Sequence, residues 1–451
     1  MKMAEEYGFL PTNDGETNAK CLQQAVNGGG DVYISTPGIY SISDQIILSD
    51  NTSIYFCAGS YLKRENNSEE NGYVFVNEGA YTRTYNKNIK ICGLKLICNN
   101  VVSAPFSNAS KKVILGLRGQ LSFFYVKNVT IEDMECLDLP ASDYCIQICT
   151  FENAVLEQLR IEGLKDAVHF GPGSKFVIRH GLFRTFDDPI ALNAHDYATA
   201  NPEMGWISDG IVEDCYDLND DSTTGFFCRI LAGSWVDWYE GMIVQRSDTV
   251  VSNGRLYRVN MPPDGRTFVS VTPPIHESGN AEYDGITWAM SQERVTYSCG
   301  CRNIHFRDIY LQKKRPIAFS VHFDKDAWSR SFYPNSDAPV QQNITFEHIV
   351  VQNDEIPVLL QSTTPLDNVR FVNCEFKNNI VRLSNINTSG IIYPNTKLLF
   401  IGTSFSESID NFVICEKNVS ATLSICATLN DSFHTKLKGD ITVRTADISI
   451  E

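Results

Sequence analysis

The chain has 451 residues, 43% of them hydrophobic, and a formal net charge of −16 at pH 7. That charge argues against a nucleic-acid partner, because such partners require a basic surface, and no apolar run is long enough to span a membrane. The N-terminus lacks the apolar stretch of a secretory leader, and the 14 cysteines lack a dense regular spacing. A cytoplasmic protein with reduced thiols is therefore expected, or a secreted one if a leader has been removed.

The first thirty residues have the features of a cap. Residues 17–26 follow the pattern of a short amphipathic helix, with a capping residue ahead of it and a run of three glycines, residues 28–30, after it. We expect residues 1–30 to cover one end of a stacked structure, because the end coils of a solenoid must be shielded.

Short strand-like segments then recur along the chain. The segments share an asparagine followed by apolar residues at the next and the third positions, at Asn88, Asn128, Asn303, Asn343 and Asn368. A unit that returns every 20–40 residues marks a solenoid, and the alternating apolar residues inside each segment indicate strands. The predicted fold class is all-β, a parallel β-helix whose two parts are residues 31–237 and residues 299–451.

The N-terminal entry carries a first family resemblance. Residues 13–17, the strand pattern of residues 31–34 and the alternation of residues 40–48 resemble the entry of the pectin-lyase-like β-helix superfamily. The resemblance implies a right-handed parallel β-helix with a capping helix, and it leaves the reaction open.

The repeat lapses between residues 238 and 298. Short strands and tight turns replace it, including the hairpin signal Asn253-Gly254. We expect a small β-barrel-like insertion, which loosely resembles modules of phage tail proteins and carbohydrate-binding proteins. That resemblance implies either a spacer at a cleft rim or a glycan-binding module.

Three aspartates stand about one repeat apart. Asp166 is separated by 21 residues from the pair Asp187-Asp188, so carboxylates from neighbouring coils are expected to converge. Crowded carboxyls differ in pKa, which supplies the acid and the base that glycoside hydrolysis needs. Inversion would place the working carboxyls about 6.5–9.5 Å apart. The adjacent Asp187 and Asp188 can both take part only if the chain bends there.

These aspartates carry a second resemblance, to the polygalacturonase-type enzymes of glycoside hydrolase family 28. It implies that Asp166, Asp187 and Asp188 are the acid and base of an inverting glycosidase. Leu164-Lys165 stands where the family has Asn-Thr, and the family's Gly-His-Gly motif is missing.

The substrate sugar is less clear. The family's Arg-Ile-Lys motif has only a partial counterpart in Arg229-Ile230-Leu231, and the missing lysine argues against galacturonate. The Asp-Asp pair with Asn193 and His195 also resembles the α-1,3-galactosidases of family 110, which implies a neutral galactoside.

Other polar and aromatic residues near the ends of strands are predicted to bind the substrate, although each of them also fits a structural role. They are His169, Asn193, His195, Asp196, Arg229, Trp235, Asp237, Trp238, His322, Asp324 and Arg330. All five tryptophans lie between residues 206 and 328, which favours a groove rimmed by aromatic side chains.

The predicted function is an inverting glycosidase that acts on a carbohydrate, with exo action on galactosides favoured by the insertion. No cofactor and no metal are expected, and the oligomeric state is left open. Two alternatives remain. One is a polysaccharide lyase, with calcium on the acidic cluster and Lys165 or Arg184 taking the proton. The other is a non-catalytic glycan-binding spike like those of phages.

Overall fold

The chain forms a right-handed parallel β-helix, in which each coil contributes strands to three faces. The computed structural model describes residues 1–65, 72–101, 112–326, 330–385, 394–406, 408–416, 418–426 and 436–445. Strands of successive coils pair in parallel, and 28 of them join in one sheet that winds around the axis. The all-β parallel β-helix predicted from the repeat is confirmed.

Each coil visits the three faces in the same order. Strands confined to the first face are Gly30–Ile34, Thr52–Phe56, Asn86–Cys92, Val369–Val372, Thr396–Ile401, Ser420–Cys426 and Asp440–Thr445. Strands confined to the second face are Gly38–Ile42, Ser60–Arg64, Lys95–Ile97, Glu375–Phe376 and Ser404–Phe405. Strands confined to the third face are Ile46–Leu48, Phe75–Asn77, Val168–Phe170, Ile190–Asn193, Cys228–Leu231, Ile317–His322, Val358–Ser362, Ile380–Leu383, Val413–Cys415 and Leu437–Lys438.

Longer strands turn the corners between faces. They are Gly119–Leu139, Tyr144–Gly163, Gly173–Thr185, Ile207–Asp217, Cys301–Leu311 and Gln341–Val351. Two short strands complete the sheet, Lys2–Met3 beside Gly30–Ile34 and Leu366–Asp367 beside Gln341–Val351.

The repeated asparagine makes one corner of the coil. Asn88, Asn128 and Asn343 have left-handed φ angles of 58°, 58° and 53°, a conformation that asparagine tolerates better than most residues. The side chains also bond from coil to coil: Asn128 Nδ2 donates to Asn88 Oδ1 at 2.9 Å, and Asn368 Nδ2 donates to Asn343 Oδ1 at 2.7 Å. The asparagine thus sets both the corner and the register between coils.

Stacked apolar side chains fill the interior. Phe306, Phe346, Phe371 and Phe400 stack on one another with ring centroids 5.4, 5.2 and 5.0 Å apart, because equivalent inward positions of successive coils lie one above the other. All 14 cysteines are free and eleven of them are buried, so they act as small core residues.

A helix covers the N-terminal end of the stack. Gly15–Val26 is capped by Asp14, whose side chain accepts from the amide of Thr17 at 2.7 Å. The helix buries Leu22 completely against the first coils. Two further short helical segments are Ala4–Tyr7 and Gly79–Thr82. None of the helices in the described ranges is long and apolar enough to cross a membrane.

A small β-domain interrupts the coils after Cys228–Leu231. An antiparallel pair, Gly233–Ser234 with Ser298–Cys299, lies at its base. Its strands are Val236–Asp237, Met242–Val244, Thr249–Ser252, Arg255–Val259, Phe268–Ser270, Asn280–Tyr283 and Ile286–Gln292. It has a core of its own around Trp288. The coils continue across this insertion, because Ile207–Asp217 pairs directly with Cys301–Leu311.

Candidate active site

The three predicted aspartates lie at the corner between the second and third faces of two adjacent coils. The third-face strands that follow them pair in register. This register makes Asp188 the counterpart of Asp166 one coil later, and it makes Asp187 the counterpart of Lys165. The length of the coil therefore matches Asp166 to the second member of the pair.

A bend brings both members of the pair to the site. Strand Gly173–Thr185 ends before Asp187, and strand Ile190–Asn193 begins after Asp188. The hydroxyl of Thr185 donates to the carbonyl oxygen of Asp187 at 2.8 Å and fixes the bend. Neighbouring residues that would point to opposite faces of a regular strand thus reach the same side.

The carboxylates form one group, called the aspartate cluster below. One oxygen from each of Asp166, Asp187 and Asp188 lies within 4.8 Å of the other two. The convergence expected from the repeat is present. The wider separation expected for inversion, about 6.5–9.5 Å between carboxyl groups, is not observed between these oxygens.

The three carboxyl groups differ in exposure and in proton affinity. The side chains of Asp166 and Asp188 are 4% and 2% exposed, and that of Asp187 is 31% exposed. Burial and the charge of Asp187 raise the pKa of Asp188 to about 8 and that of Asp166 to about 7. Burial would also raise the pKa of Asp187, but Lys165, Arg229 and a hydrogen bond with Asp166 together hold that pKa below its ordinary value. The cluster thus keeps a proton at neutral pH while Asp187 is ionised.

Two cationic side chains neutralise part of this charge. Lys165 Nζ donates to Asp187 and lies 3.8 Å from Asp166 Oδ1. Arg229 Nε lies 3.5 Å from Asp188 Oδ2. Burial alone would lower the pKa of Lys165 and of Arg229, but the carboxylates raise both above their ordinary values. Both side chains therefore stay protonated.

The loop before strand Cys228–Leu231 holds the Asp187-Asp188 pair in place. The amide of Phe226 donates to Asp188 Oδ1 at 2.8 Å. Arg315, which is fully buried, donates to the carbonyl oxygens of Thr224 at 2.7 Å and Asp187 at 3.5 Å. The backbone at the bend is thus held by a later coil.

His169 contacts the cluster through Asp166. The sequence prediction missed Tyr144, which lies next to His169, and Arg118, which lies next to Tyr144. His169 Nδ1 lies 2.9 Å from Asp166 Oδ2, and its ring stacks on Tyr144 with centroids 3.9 Å apart. Burial lowers the pKa of His169 to about 3, so the imidazole is neutral. The guanidinium of Arg118 lies 5.2 Å from the centre of the Tyr144 ring. Only the coil register, which sets Tyr144 beside Asp166, points to these two residues.

Several buried polar atoms at the cluster have no hydrogen-bond partner among the described residues. They are Asp166 Oδ1, His169 Nε2, Asn193 Oδ1 and Arg229 Nε. Asn193 Nδ2 donates to Asp196 Oδ2 at 2.7 Å, and that oxygen lies 4.0 Å from the Arg229 guanidinium. Buried polar atoms are usually paired; of these four, Arg229 Nε is already part of the ion pair with Asp188.

Two predicted binding residues are enclosed instead. His195 is fully buried, and its Nε2 lies 3.2 Å from Thr249 Oγ1 in the insertion. Trp235 is also buried, and its indole nitrogen donates to the carbonyl oxygen of Thr296. Both pack between the coil and the inserted domain, which corrects the expectation that Trp235 rims an open groove and agrees with the structural role also allowed for His195.

Two other predicted residues belong to the insertion. Asp237 is exposed and accepts from the hydroxyl of Tyr297 at 2.7 Å. Trp238 Nε1 donates to Ser270 Oγ at 2.9 Å, and its ring packs against the core of the inserted domain. Their contacts are with the inserted domain, not with the cluster.

The last group of predicted residues follows a later third-face strand. His322 Nε2 lies 3.3 Å from Asp326, and the carbonyl oxygen of Asp324 accepts from a backbone amide. Arg330 Nε donates to the buried Asp248 of the insertion at 2.7 Å. Arg330 therefore ties the coil to the inserted domain.

The four tryptophans that the structure describes do not form the expected aromatic rim. Trp288 is fully buried in the core of the insertion. Trp206 lies under Arg302, at 5.7 Å. Trp328 falls outside the described residues. The ring of Tyr144 stacks on His169 beside the cluster.

Two groups in the described part of the chain have the spacing of metal ligands. One is the aspartate cluster, and the other is Cys98, Cys136 and Asp138 in the earlier coils. Carboxylate oxygens suit calcium. At the aspartate cluster, however, the ammonium of Lys165 already bonds to Asp187.

Comparison with known proteins identifies the fold. No family model matches this sequence. No curated protein matches it. Among solved structures, the surface adhesin PfbA of Streptococcus pneumoniae superposes with a TM-score of 0.52 at 10% identity, over 94% of this chain and 90% of that chain.

Two further solved structures are enzymes. A family 28 exopolygalacturonase of Yersinia enterocolitica has a TM-score of 0.48 at 11% identity, over 99% of this chain and 78% of that chain. The A-module of a mannuronan C-5 epimerase of Azotobacter vinelandii has a TM-score of 0.47 at 10% identity, over 99% and 98%. The right-handed parallel β-helix predicted from the sequence is confirmed, and the fold alone does not assign a reaction.

Proposed function

We propose that the protein is a glycoside hydrolase that cleaves a carbohydrate at the aspartate cluster. The observation that carries this proposal is the split in proton affinity between adjacent carboxyls. The pKa of Asp188 is raised to about 8 and the pKa of Asp187 is lowered. Hydrolysis of a glycosidic bond needs one carboxylic acid and one carboxylate within reach of the same bond.

The environment of each group suggests its role. Asp188 carries a proton at neutral pH and is the proton donor to the leaving oxygen. Asp187 is ionised and the most exposed of the three, so it is the group that activates water or attacks the anomeric carbon. Asp166, with the neutral His169 beside it, and Arg229 hold the sugar hydroxyls.

Elimination is the weaker alternative. A lyase needs a basic group that can accept a proton from the sugar ring. Lys165 holds its proton because the aspartates raise its pKa. Arg184 is paired with Glu162 at 2.7 Å. Neither side chain suits the role of base, so hydrolysis accounts better for the cluster.

A screen of aryl glycosides tests the reaction. α- and β-Galactosides come first, because Leu231 replaces the lysine of the resembling enzymes and is buried; galacturonides serve as the contrast. Asp187→Asn and Asp188→Asn are each expected to lower kcat by about 10²–10⁴-fold with unchanged circular dichroism. Asp209→Asn, an exposed aspartate on the first face, is the matched control and should keep full activity.

The proposal is wrong if the Asp166→Asn, Asp187→Asn and Asp188→Asn variants all keep full turnover. A product that absorbs in the ultraviolet and disappears with a chelator would establish the lyase instead. Binding of glycans without any turnover would favour the spike-like alternative.

The stereochemistry needs its own measurement. The family resemblance implies inversion, whereas carboxyls about 5–5.5 Å apart are typical of retaining enzymes. We propose inversion on the resemblance alone, with the ionised Asp187 directing water to the anomeric carbon, although the oxygens of the cluster lie within 4.8 Å of one another. Proton NMR of the first product reports the configuration before mutarotation, and a retained anomer would contradict this step.

A further inference from the structure

A cavity lies at the N-terminal end of the β-helix, away from the aspartate cluster. Its volume is about 720 Å³, and it is bounded by one side of helix Gly15–Val26 and by Asp44, Gln45, Ile47 and Tyr81. Small-molecule sites typically enclose about 300–1,000 Å³. The cavity is thus large enough for a ligand of one or two rings.

Gln45 offers this cavity an unpaired acceptor. The residue is only 8% exposed. Its Nε2 donates to the hydroxyl of Tyr81, whereas its Oε1 has no hydrogen-bond partner in the described ranges. A buried amide oxygen normally has a donor, and a hydroxyl of a ligand would supply one.

The charged residues around the cavity are paired with one another. Lys20 Nζ lies 2.6 Å from Glu16, and Lys112 Nζ lies 2.8 Å from Asp44. Among the described lining residues, the charges of these two pairs therefore cancel. The lining favours an uncharged molecule rich in hydroxyls over a phosphate or a carboxylate, because the lysines that would attract an anion already have carboxylate partners.

The position of the cavity separates it from the proposed catalytic site. The strand beside it, Ile46–Leu48, stacks through Phe75–Asn77, Gly119–Leu139 and Tyr144–Gly163 to Val168–Phe170 beside the cluster. Four steps of about 4.8 Å place the two sites roughly 19 Å apart along the third face.

We propose that this cavity is a binding site for an uncharged sugar. Gln45 Oε1 accepts a hydrogen bond from a sugar hydroxyl, and the half-buried ring of Tyr81 contacts the apolar face of the sugar ring. The site binds without chemistry and does not depend on hydrolysis at the cluster.

Methyl NMR of the full chain tests the site. The protein carries Asp188→Asn to prevent turnover, and the probes are neutral hexasaccharides of galactose and of glucose, with inorganic phosphate as the anionic probe. A neutral hexasaccharide is expected to shift the methyl signals of Ala19 and Ile47, which line the cavity. The exposed Ile275 of the insertion should stay unchanged.

A variant pair assigns the contact. Gln45→Leu is expected to weaken binding at least tenfold by calorimetry, whereas Gln352→Leu, at an exposed glutamine of a later coil, should not. The proposal is overturned if no neutral sugar shifts Ala19 and Ile47, if phosphate alone does so, or if Gln45→Leu binds as the wild type does. Should Gln45→Leu fail to fold, the methyl shifts of the Asp188→Asn protein decide. Binding here with no hydrolysis by the wild type would leave this site standing and reject the proposed function.

Discussion

Asp188 is buried, and its carboxyl group stays protonated at neutral pH in the folded protein. Its pKa rises from 3.8 to about 8 on folding, so the folded state binds the proton more tightly than the unfolded state does. By linkage, its contribution to stability is fully present below about pH 4 and is lost as the pH rises to about 8.

Replacing this carboxyl should therefore stabilise the protein, and more so in alkali. Asp188→Asn is expected to raise Tm more at pH 8.5 than at pH 4.5, because the amide never ionises. Asp209→Asn should instead lower Tm. Hydrogen bonds from Asn303 and Ser208 lower the pKa of Asp209 and so stabilise its ionised form. Thermal scans at the two pH values measure both. Equal Tm changes for Asp188→Asn at both would contradict the protonated state.

The same residue predicts the alkaline limit of activity. On an aryl glycoside, kcat should fall above pH about 8 as Asp188 loses its proton. At the acidic end it should fall only when Asp187 becomes protonated, below that residue's ordinary pKa. A pH profile of kcat checks this. Activity that kept rising between pH 8 and pH 10 would exclude Asp188 as the acid.

At the scale of elements, a loop from a later coil shapes the bend that carries the pair. Gly225 has a φ of 69°, and a Cβ there would lie 2.8 Å from the carbonyl carbon of Asp187. Gly225→Ala is expected to displace Asp187 and lower kcat at least tenfold. Gly241→Ala is the matched control, because Gly241 has a φ of 82° and open space around its Cβ position. Both variants carry backbone strain of about 1–2 kcal/mol, and only Gly225→Ala adds the clash with Asp187. Comparing kcat and Tm of the two variants separates these effects. Equal kcat values in the two variants would contradict this role.

The period of the coil was readable in the sequence, and with it the convergence of the three aspartates. The register was not, because it depends on loop lengths that no local pattern reveals. Tyr144 and Arg118 were missed for that reason. The burial of Trp235 was mispredicted for another reason: the insertion covers it, and packing between segments distant in sequence leaves no periodic signal.

At the scale of the whole molecule, hydrogen bonds connect the insertion to residues 196–202, which follow the cluster in the chain. Arg258 is fully buried. Its guanidinium donates to the carbonyl oxygens of Asp196 at 2.7 Å, Asn201 at 2.6 Å and Pro202 at 3.0 Å. This one side chain joins the inserted domain to the segment that carries Asp196.

Removing that side chain should loosen both parts. Arg258→Met is expected to destabilise the fold by more than about 2 kcal/mol, because several buried carbonyl oxygens lose their donor, and to raise KM. On the same strand, Arg255→Met loses an ion pair with the exposed Glu277, expected to be worth at most about 1 kcal/mol, and a contact with Tyr257. Denaturant unfolding and kinetics compare the two. Equal losses of stability in the two variants would show that Arg258 does not hold the insertion to the coils.

The insertion also has a consequence for the order in which the coils can form during synthesis. Ile207–Asp217 finds its next partner only in Cys301–Leu311, and the roughly 80 residues between them take about 4–16 s to translate at 5–20 residues per second. For those seconds the growing stack ends in an open strand edge, the kind of surface on which chains aggregate. An inserted domain that folds on its own and docks through Arg258 would shield that edge while the ribosome finishes the next coil.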